Sequence, residues 1–274
     1  MAQTIQEALG HNAGTSDGHT VEYLDTVEAY NKWAEVYDKD GNFLQALDTI
    51  EMQSFLPRFL DLVQAEQEKP LTLVDLGCGT GRNTLQLLKV APTDAQIIGI
   101  DASPGMLEVA RETLKSSGEA ERRVKLDVYD LLKSDESSLP GSLGGDASAS
   151  GIISTLVLEH IPVDTFFSGV SRLLKPGGYL LVTNMHAQMG GISQAGFVDG
   201  KTGRKIRPTS YAHEIGDVVA AAERASFEVV ELDEGERVRE RTVDEAMVEG
   251  LGVRARKWVG VTVWFRVCFR KVFD

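Results

Sequence analysis

Three glycines at alternate positions, Gly77, Gly79 and Gly81, follow the acid Asp75 in the stretch 71–82, Leu-Thr-Leu-Val-Asp-Leu-Gly-Cys-Gly-Thr-Gly-Arg. Glycines in a strand-to-helix turn let the backbone approach a ligand that any Cβ would obstruct, and the free amides of the following helix point at the same turn. A second acid, Asp101, closes the stretch Gln-Ile-Ile-Gly-Ile-Asp, 20 positions after Gly81. That separation suits a carboxylate that accepts hydrogen bonds from a ribose diol. Cradle and acid together predict a nucleoside-containing ligand. Cys78, inside the turn, reads as a small buried filler and not as a nucleophile.

These residues need strands to carry them. The run before Gly77 is apolar on both faces, as a buried parallel strand requires, and 96–101 repeats the pattern. Residues 124–131 and 151–158 read as the third and fourth strands, and the fifth follows Lys175-Pro176-Gly177-Gly178. Residues 227–232 and 259–267 read as the sixth and seventh, separated by a hydrophilic excursion. Helices are expected over 83–90, over 104–116 with Ser103 as cap and Pro104 at the first position, over 164–174 and within 211–226. Upstream, Tyr30, Trp33, Ala34 and Tyr37 fall at i, i+3, i+4 and i+7, one helical face. Residues 43–64 form a longer helical pattern with Pro57 as a break or a new start. Residues 1–22 read as a flexible tail, and 133–150 as a surface loop. Residues 184–210, glycine-rich and long for a connection, read as a cover over the substrate.

Composition narrows the classes. A chain of 274 residues with 42% hydrophobic and 25% charged residues can bury a core. A net charge of −13 disfavours nucleic acid as a partner. Two cysteines are too few for a disulfide framework or a cysteine-built zinc site. No apolar run reaches the ~20 residues that span a bilayer, and the first 20 residues lack a secretory or transit pattern. The expectation is a soluble cytoplasmic protein without a metal or a membrane partner, a monomer or homodimer.

The strings Val74-Asp75-Leu76-Gly77-Cys78-Gly79-Thr80-Gly81 and Gly99-Ile100-Asp101-Ala102-Ser103-Pro104-Gly105-Met106-Leu107 resemble the class I S-adenosylmethionine-dependent methyltransferases. Leu158-Glu159-His160-Ile161-Pro162 and Leu173-Leu174-Lys175-Pro176-Gly177-Gly178 resemble the same family, and so does Tyr30-x-x-Trp33-Ala34-x-x-Tyr37-Asp38 before the first strand. The glycine spacing G-x-G-x-G departs from the dinucleotide fingerprint G-x-G-x-x-G. A loose point is the opening of the fourth strand, where Asp146 falls several residues early.

The resemblance implies an α/β fold: a Rossmann-like, seven-stranded, mostly parallel sheet with its last strand antiparallel and helices on both faces. It implies a methyltransferase domain over 23–274, with 23–68 as a helical cap. S-adenosylmethionine would be the cofactor and S-adenosylhomocysteine the product. The cofactor would contact Tyr30, Tyr37, Asp75, Gly77, Cys78, Gly79, Gly81, Asp101, Ala102, Met106, Leu131 and Thr155. An acid ending the third strand would accept from the adenine amino group; Asp130 fits that place better than Asp127, which stays open. His160 would be a general base or a histidine that only fixes its loop, with His186 and His213 as further candidates near the substrate loop. The family contains small-molecule enzymes that methylate O, N or S. The absence of an Asn/Asp-Pro-Pro-Tyr/Phe string and the acidity favour that class. Alternatives are a protein or RNA methyltransferase, or a cofactor-binding member with a non-methylating role.

Overall fold

Apolar side chains on alternate residues of the same strands build two cores, one on each face of a sheet. The computed structural model describes residues 3–10, 15–16, 18–115, 117–133, 139–144 and 147–272. In chain order these carry α1 (Ile5–Ala8), β1 (Thr15–Ser16), β2 (His19–Leu24), α2 (Thr26–Trp33), α3 (Phe43–Glu66), β3 (Thr72–Leu76), α4 (Arg82–Val90), β4 (Gln96–Asp101) and α5 (Pro104–Lys115). There follow α6 (Ala120–Arg123), β5 (Val124–Val128), β6 (Ala149–Thr155), α7 (Val163–Leu173), β7 (Leu174–Met185), α8 (Ala187–Gly190), β8 (Phe197–Val198) and β9 (Lys205–Pro208). The last are α9 (Ile215–Arg224), β10 (Phe227–Val230), β11 (Val238–Thr242), α10 (Glu245–Leu251) and β12 (Thr262–Lys271).

Among the described residues the main sheet has eight strands in the order β10-β12-β7-β6-β3-β4-β5, with β11 also on β12. Strands β3 to β7 pair in parallel, and β12 inserts antiparallel between β7 and β10. Leu73, Ile97 and Leu181 turn to the face covered by Leu47, Phe55, Phe59 and Val63 of α3 and by Leu87 of α4. Their neighbours Val74, Ile98 and Leu180 turn to the opposite face, under Phe166, Phe167 and Val170 of α7 and Val218 of α9. The strand order reverses beside β3, with β4 on one side and β6 on the other. Ligands of open α/β sheets bind at the carboxyl ends of such a pair.

Several boundaries differ from expectation. The third strand stops at Val128 and the fifth begins already at Leu174. The Lys-Pro-Gly-Gly stretch is taken up as an irregularity, with Ala149 opposite Leu174 but Gly151 opposite Tyr179. α3 runs unbroken through Pro57, held by buried Phe55, Leu56, Phe59 and Leu60 on both sides of it. The hydrophilic excursion supplies a strand, β11, which continues the edge line of β10 along β12.

The expected tail is corrected most. Thr4 and Glu7 form a reciprocal capping box that starts α1, and Ile5 is buried. Strand β2 then pairs in parallel with β9, and β9 pairs with β8. A second sheet of order β1-β2-β9-β8 therefore joins strands β1 and β2 to the loop expected as the cover. His11 and Asp146 lie outside the described residues, as does part of the 133–150 loop.

Candidate active site

The glycine turn takes the left-handed backbone its sequence predicts, with φ of +71° at Gly77, +54° at Gly79 and +85° at Gly81. L-residues reach that region at a cost of roughly 1–2 kcal/mol. Gly77 is doubly constrained, since a Cβ there would lie 2.2 Å from Cγ2 of Val157. A Cβ at Gly79 would meet no protein atom within 4 Å, so this side of the turn is bare backbone facing the cavity. Gly81 is the N-cap of α4 and packs against Ala110. The amides of Gly77 and Cys78 both bond the Ile100 carbonyl, which ties the turn to the end of β4.

One cavity lies over the carboxyl ends of β3, β4, β5 and β6. Of the residues expected at the site, Tyr30, Tyr37, Gly77, Gly79, Asp101, Ala102, Met106, Asp130, Leu131, Thr155 and His160 all line it. Asp75, Cys78 and Gly81 do not. Asp75 is buried beneath the turn and accepts from the Thr84 hydroxyl at 2.6 Å. The Cys78 thiol is buried, and burial pushes its pKa well up, so it is inert as a nucleophile. Of the two acids weighed after β5, Asp130 lines the cavity, whereas Asp127 lies within the strand and accepts from the Ser142 amide at 2.7 Å.

Asp101 accepts from the Gly79 amide through one oxygen and from the Ser103 amide through the other, each at 2.8 Å. A carboxylate has about four lone-pair directions, so both oxygens can still accept from a diol. Burial raises its pKa to about 6, opposed by those two backbone bonds. Asp130 takes the Leu132 amide at 2.9 Å and Lys133 Nζ at 3.4 Å. Leu76, Met106, Leu131, Leu156 and Ile161 give the cavity apolar walls suited to a flat ring. Bare backbone at Gly79, spare lone pairs on Asp101 and apolar walls with Asp130 among them fit an adenosyl group.

His160 sits in a single helical turn, Leu158–His160, that follows β6. Its Nδ1 lies 2.8 Å from the Thr209 carbonyl, which can only accept, so Nδ1 carries the proton. Nε2 is then the basic nitrogen, and the Tyr30 hydroxyl donates to it at 2.8 Å. Burial holds the imidazole neutral, with its pKa lowered to about 4. The other two candidate histidines are tied up in local hydrogen bonds. His186 accepts the Gln188 amide and pairs with Glu240 at 3.0 Å, and His213 Nε2 reaches the carbonyls of Leu158 and Ile161 at 3.1 and 3.0 Å.

A roof completes the cavity. Ala29, Trp33 and Ala34 form a small core with Met106, Phe197 and Ile206, and the Trp33 ring stacks on Phe197 at 5.0 Å. Asn31 Oδ1 accepts from the Ser103 hydroxyl and the Gly105 amide at 2.8 and 2.9 Å, pinning α2 to the start of α5. Sequence reading missed Asp25, Thr26 and Val27, which line the cavity, because they form the start of α2, whose place depends on the β2–β9 pairing just before it. It also missed Val157, just before the string that contains His160, and Ile161, inside that string.

A family of methyltransferase domains matches residues 74–182. An uncharacterized methyltransferase of Emericella nidulans is 67% identical, over 96% of this chain and 98% of its own length. A demethylmenaquinone methyltransferase of Tropheryma whipplei is 30% identical over 60% of this chain and 59% of its own length, and so is matched over less than two thirds of that protein. Among solved structures, an S-adenosylmethionine-dependent methyltransferase from Mesorhizobium loti shares the fold, with a TM-score of 0.52, 20% identity and coverage of 76% of this chain and 95% of that one.

Proposed function

The chain belongs to the class I S-adenosylmethionine-dependent methyltransferases, and from that premise we propose that it methylates a small molecule at an oxygen or nitrogen that loses a proton. Bound S-adenosylmethionine supplies a methyl group already activated on a sulfonium, so the protein's task is positioning, exclusion of water and proton removal. In this reading Asp101 accepts from the ribose diol and Asp130 from the adenine amino group. Gly77 and Gly79 present backbone to the methionine end, and Thr155 and Tyr37 line the same cavity.

The observation that carries the proposal is the chain from Thr209 through His160 to Tyr30. It leaves Nε2 of a cavity-lining imidazole unprotonated, with the phenol of Tyr30, which lines the same cavity, hydrogen-bonded to it. In the proposed step an acceptor proton reaches Nε2, directly or through the Tyr30 hydroxyl, as the acceptor atom takes the methyl group. The roof of α2 and β8–β9 supports an acceptor small enough to be enclosed, and the net charge of −13 argues against an RNA. The Tropheryma relative, named for a small-molecule acceptor, is in line with this.

Incubation of the protein with methyl-tritiated S-adenosylmethionine and a cell extract tests the acceptor class. Label is expected in the small-molecule fraction, and His160→Ala should slow the transfer by about 10²–10⁴-fold, the range of a lost general base. Label chiefly in protein or RNA would overturn the proposal.

A further inference from the structure

Glu159 is unused by the chemistry above, yet it is among the most constrained groups near it. Its side chain is buried, at 5% exposure, and Oε2 has no hydrogen-bond partner among the described residues. Leaving a buried carboxyl oxygen unpaired is costly, and it persists in proteins where the group has another task. The backbone around it is fully engaged. Its amide donates to Asn184 Oδ1 at 3.1 Å, and its carbonyl accepts from Tyr211 at 2.7 Å. The side chain is thus held in place by a rigid turn, with Oε1 3.9 Å from His160 Nε2, the nitrogen that faces Tyr30.

We propose that Glu159 and His160 act as one proton-holding pair, with Glu159 a positioning residue that acts through the imidazole. The inference rests on His160 as the proton acceptor. When the acceptor's X–H bond breaks as its bond to the methyl carbon forms, the C–S electron pair stays on sulfur and the proton goes to Nε2. An imidazolium is disfavoured in this buried place, and burial lowers the ring's pKa to about 4. A carboxylate 3.9 Å away neutralises it. The pair changes by one proton, its net charge going from −1 to 0.

The surroundings suit that change. Facing Glu159 are Asp48 of α3, Tyr30 of α2 and Tyr37 after it, His160 on its own turn, and the Met185 amide of β7. None of the side chains is a cation, and burial with the Asp48 charge raises the Glu159 carboxyl to about 7, against its bond from the Met185 amide. The pair therefore takes up or releases its proton near neutrality, as a coupled unit.

Imidazole NMR of the full-length protein saturated with S-adenosylhomocysteine tests this without knowledge of the acceptor. In wild type the His160 ring resonances should move between about pH 6 and 8, as the pair titrates. In Glu159→Gln they should stay still across that range and move only below about pH 5. Equal behaviour in the two proteins would overturn the proposal. Should Glu159→Gln not fold, Glu159→Asp keeps the charge and withdraws it by one methylene. It should lower the titration by about one pH unit, and an unchanged midpoint would equally contradict the pairing. Methyl transfer is not needed for these readouts, so a failed pairing is told apart from a wrong base, which His160→Ala with label reports.

Discussion

Asp75 and Asp101 end neighbouring strands and read alike in the sequence, but their surroundings separate their roles. Asp101 lines the cavity, with spare lone pairs on both oxygens. Asp75 is 1% exposed and spends its carboxylate on Thr84 beneath the glycine turn. Burial raises Asp75 from the ordinary 3.8 to about 6, a difference worth about 3 kcal/mol. A carboxyl whose folded pKa lies above its unfolded one binds its proton more tightly when folded. Its contribution is then full below about pH 4 and is lost as pH rises through about 6. Urea unfolding of Asp75→Asn beside wild type checks the sign: from pH 4 to 8 the variant should gain about 3 kcal/mol relative to wild type. A difference that does not vary with pH would show that Asp75 is not strained by its charge.

At the scale of elements, the roof depends on a pairing between segments far apart in the chain. β2 pairs with β9 from Val21–Lys205 to Leu24–Pro208, and Trp33 fills the space between α2 and Phe197. This core is separate from the two cores of the main sheet, so loss of one large side chain should loosen the roof before the sheet. Trp33→Ala should weaken S-adenosylhomocysteine binding tenfold or more and speed amide exchange over residues 197–208. Strands β3 and β4 should keep their protection. Exchange that rises equally everywhere would mean the roof is not a separate unit. This parallel pairing was not legible in sequence, because the short strands 19–24 and 205–208 carry little alternation and are specified by each other. β3, β4, α4 and α5 were legible to within a residue or so, because apolar runs, glycines and the Ser103 cap act locally.

Across the whole molecule, the sheet order brings residues 25–37, 76–79, 101–106, 129–133 and 155–161 to one cavity. The residues after β3, β4 and β6 were legible because their spacing reflects where strands end. Those of the roof, and the unpaired Oε2 of Glu159, were not, since burial and hydrogen-bond satisfaction are properties of the assembled fold. Among the described residues no helix is long and apolar enough to cross a membrane. The central claim is that this cavity holds the adenosyl cofactor with Asp101 on its ribose. Calorimetric titration of wild type and Asp101→Ala with S-adenosylhomocysteine tests it most directly. Wild type should bind one equivalent, and the variant should bind more weakly by ~1.5–3 kcal/mol, the loss of hydrogen bonds to a charged acceptor. No binding by wild type at millimolar ligand, or equal affinity in the two proteins, would contradict it.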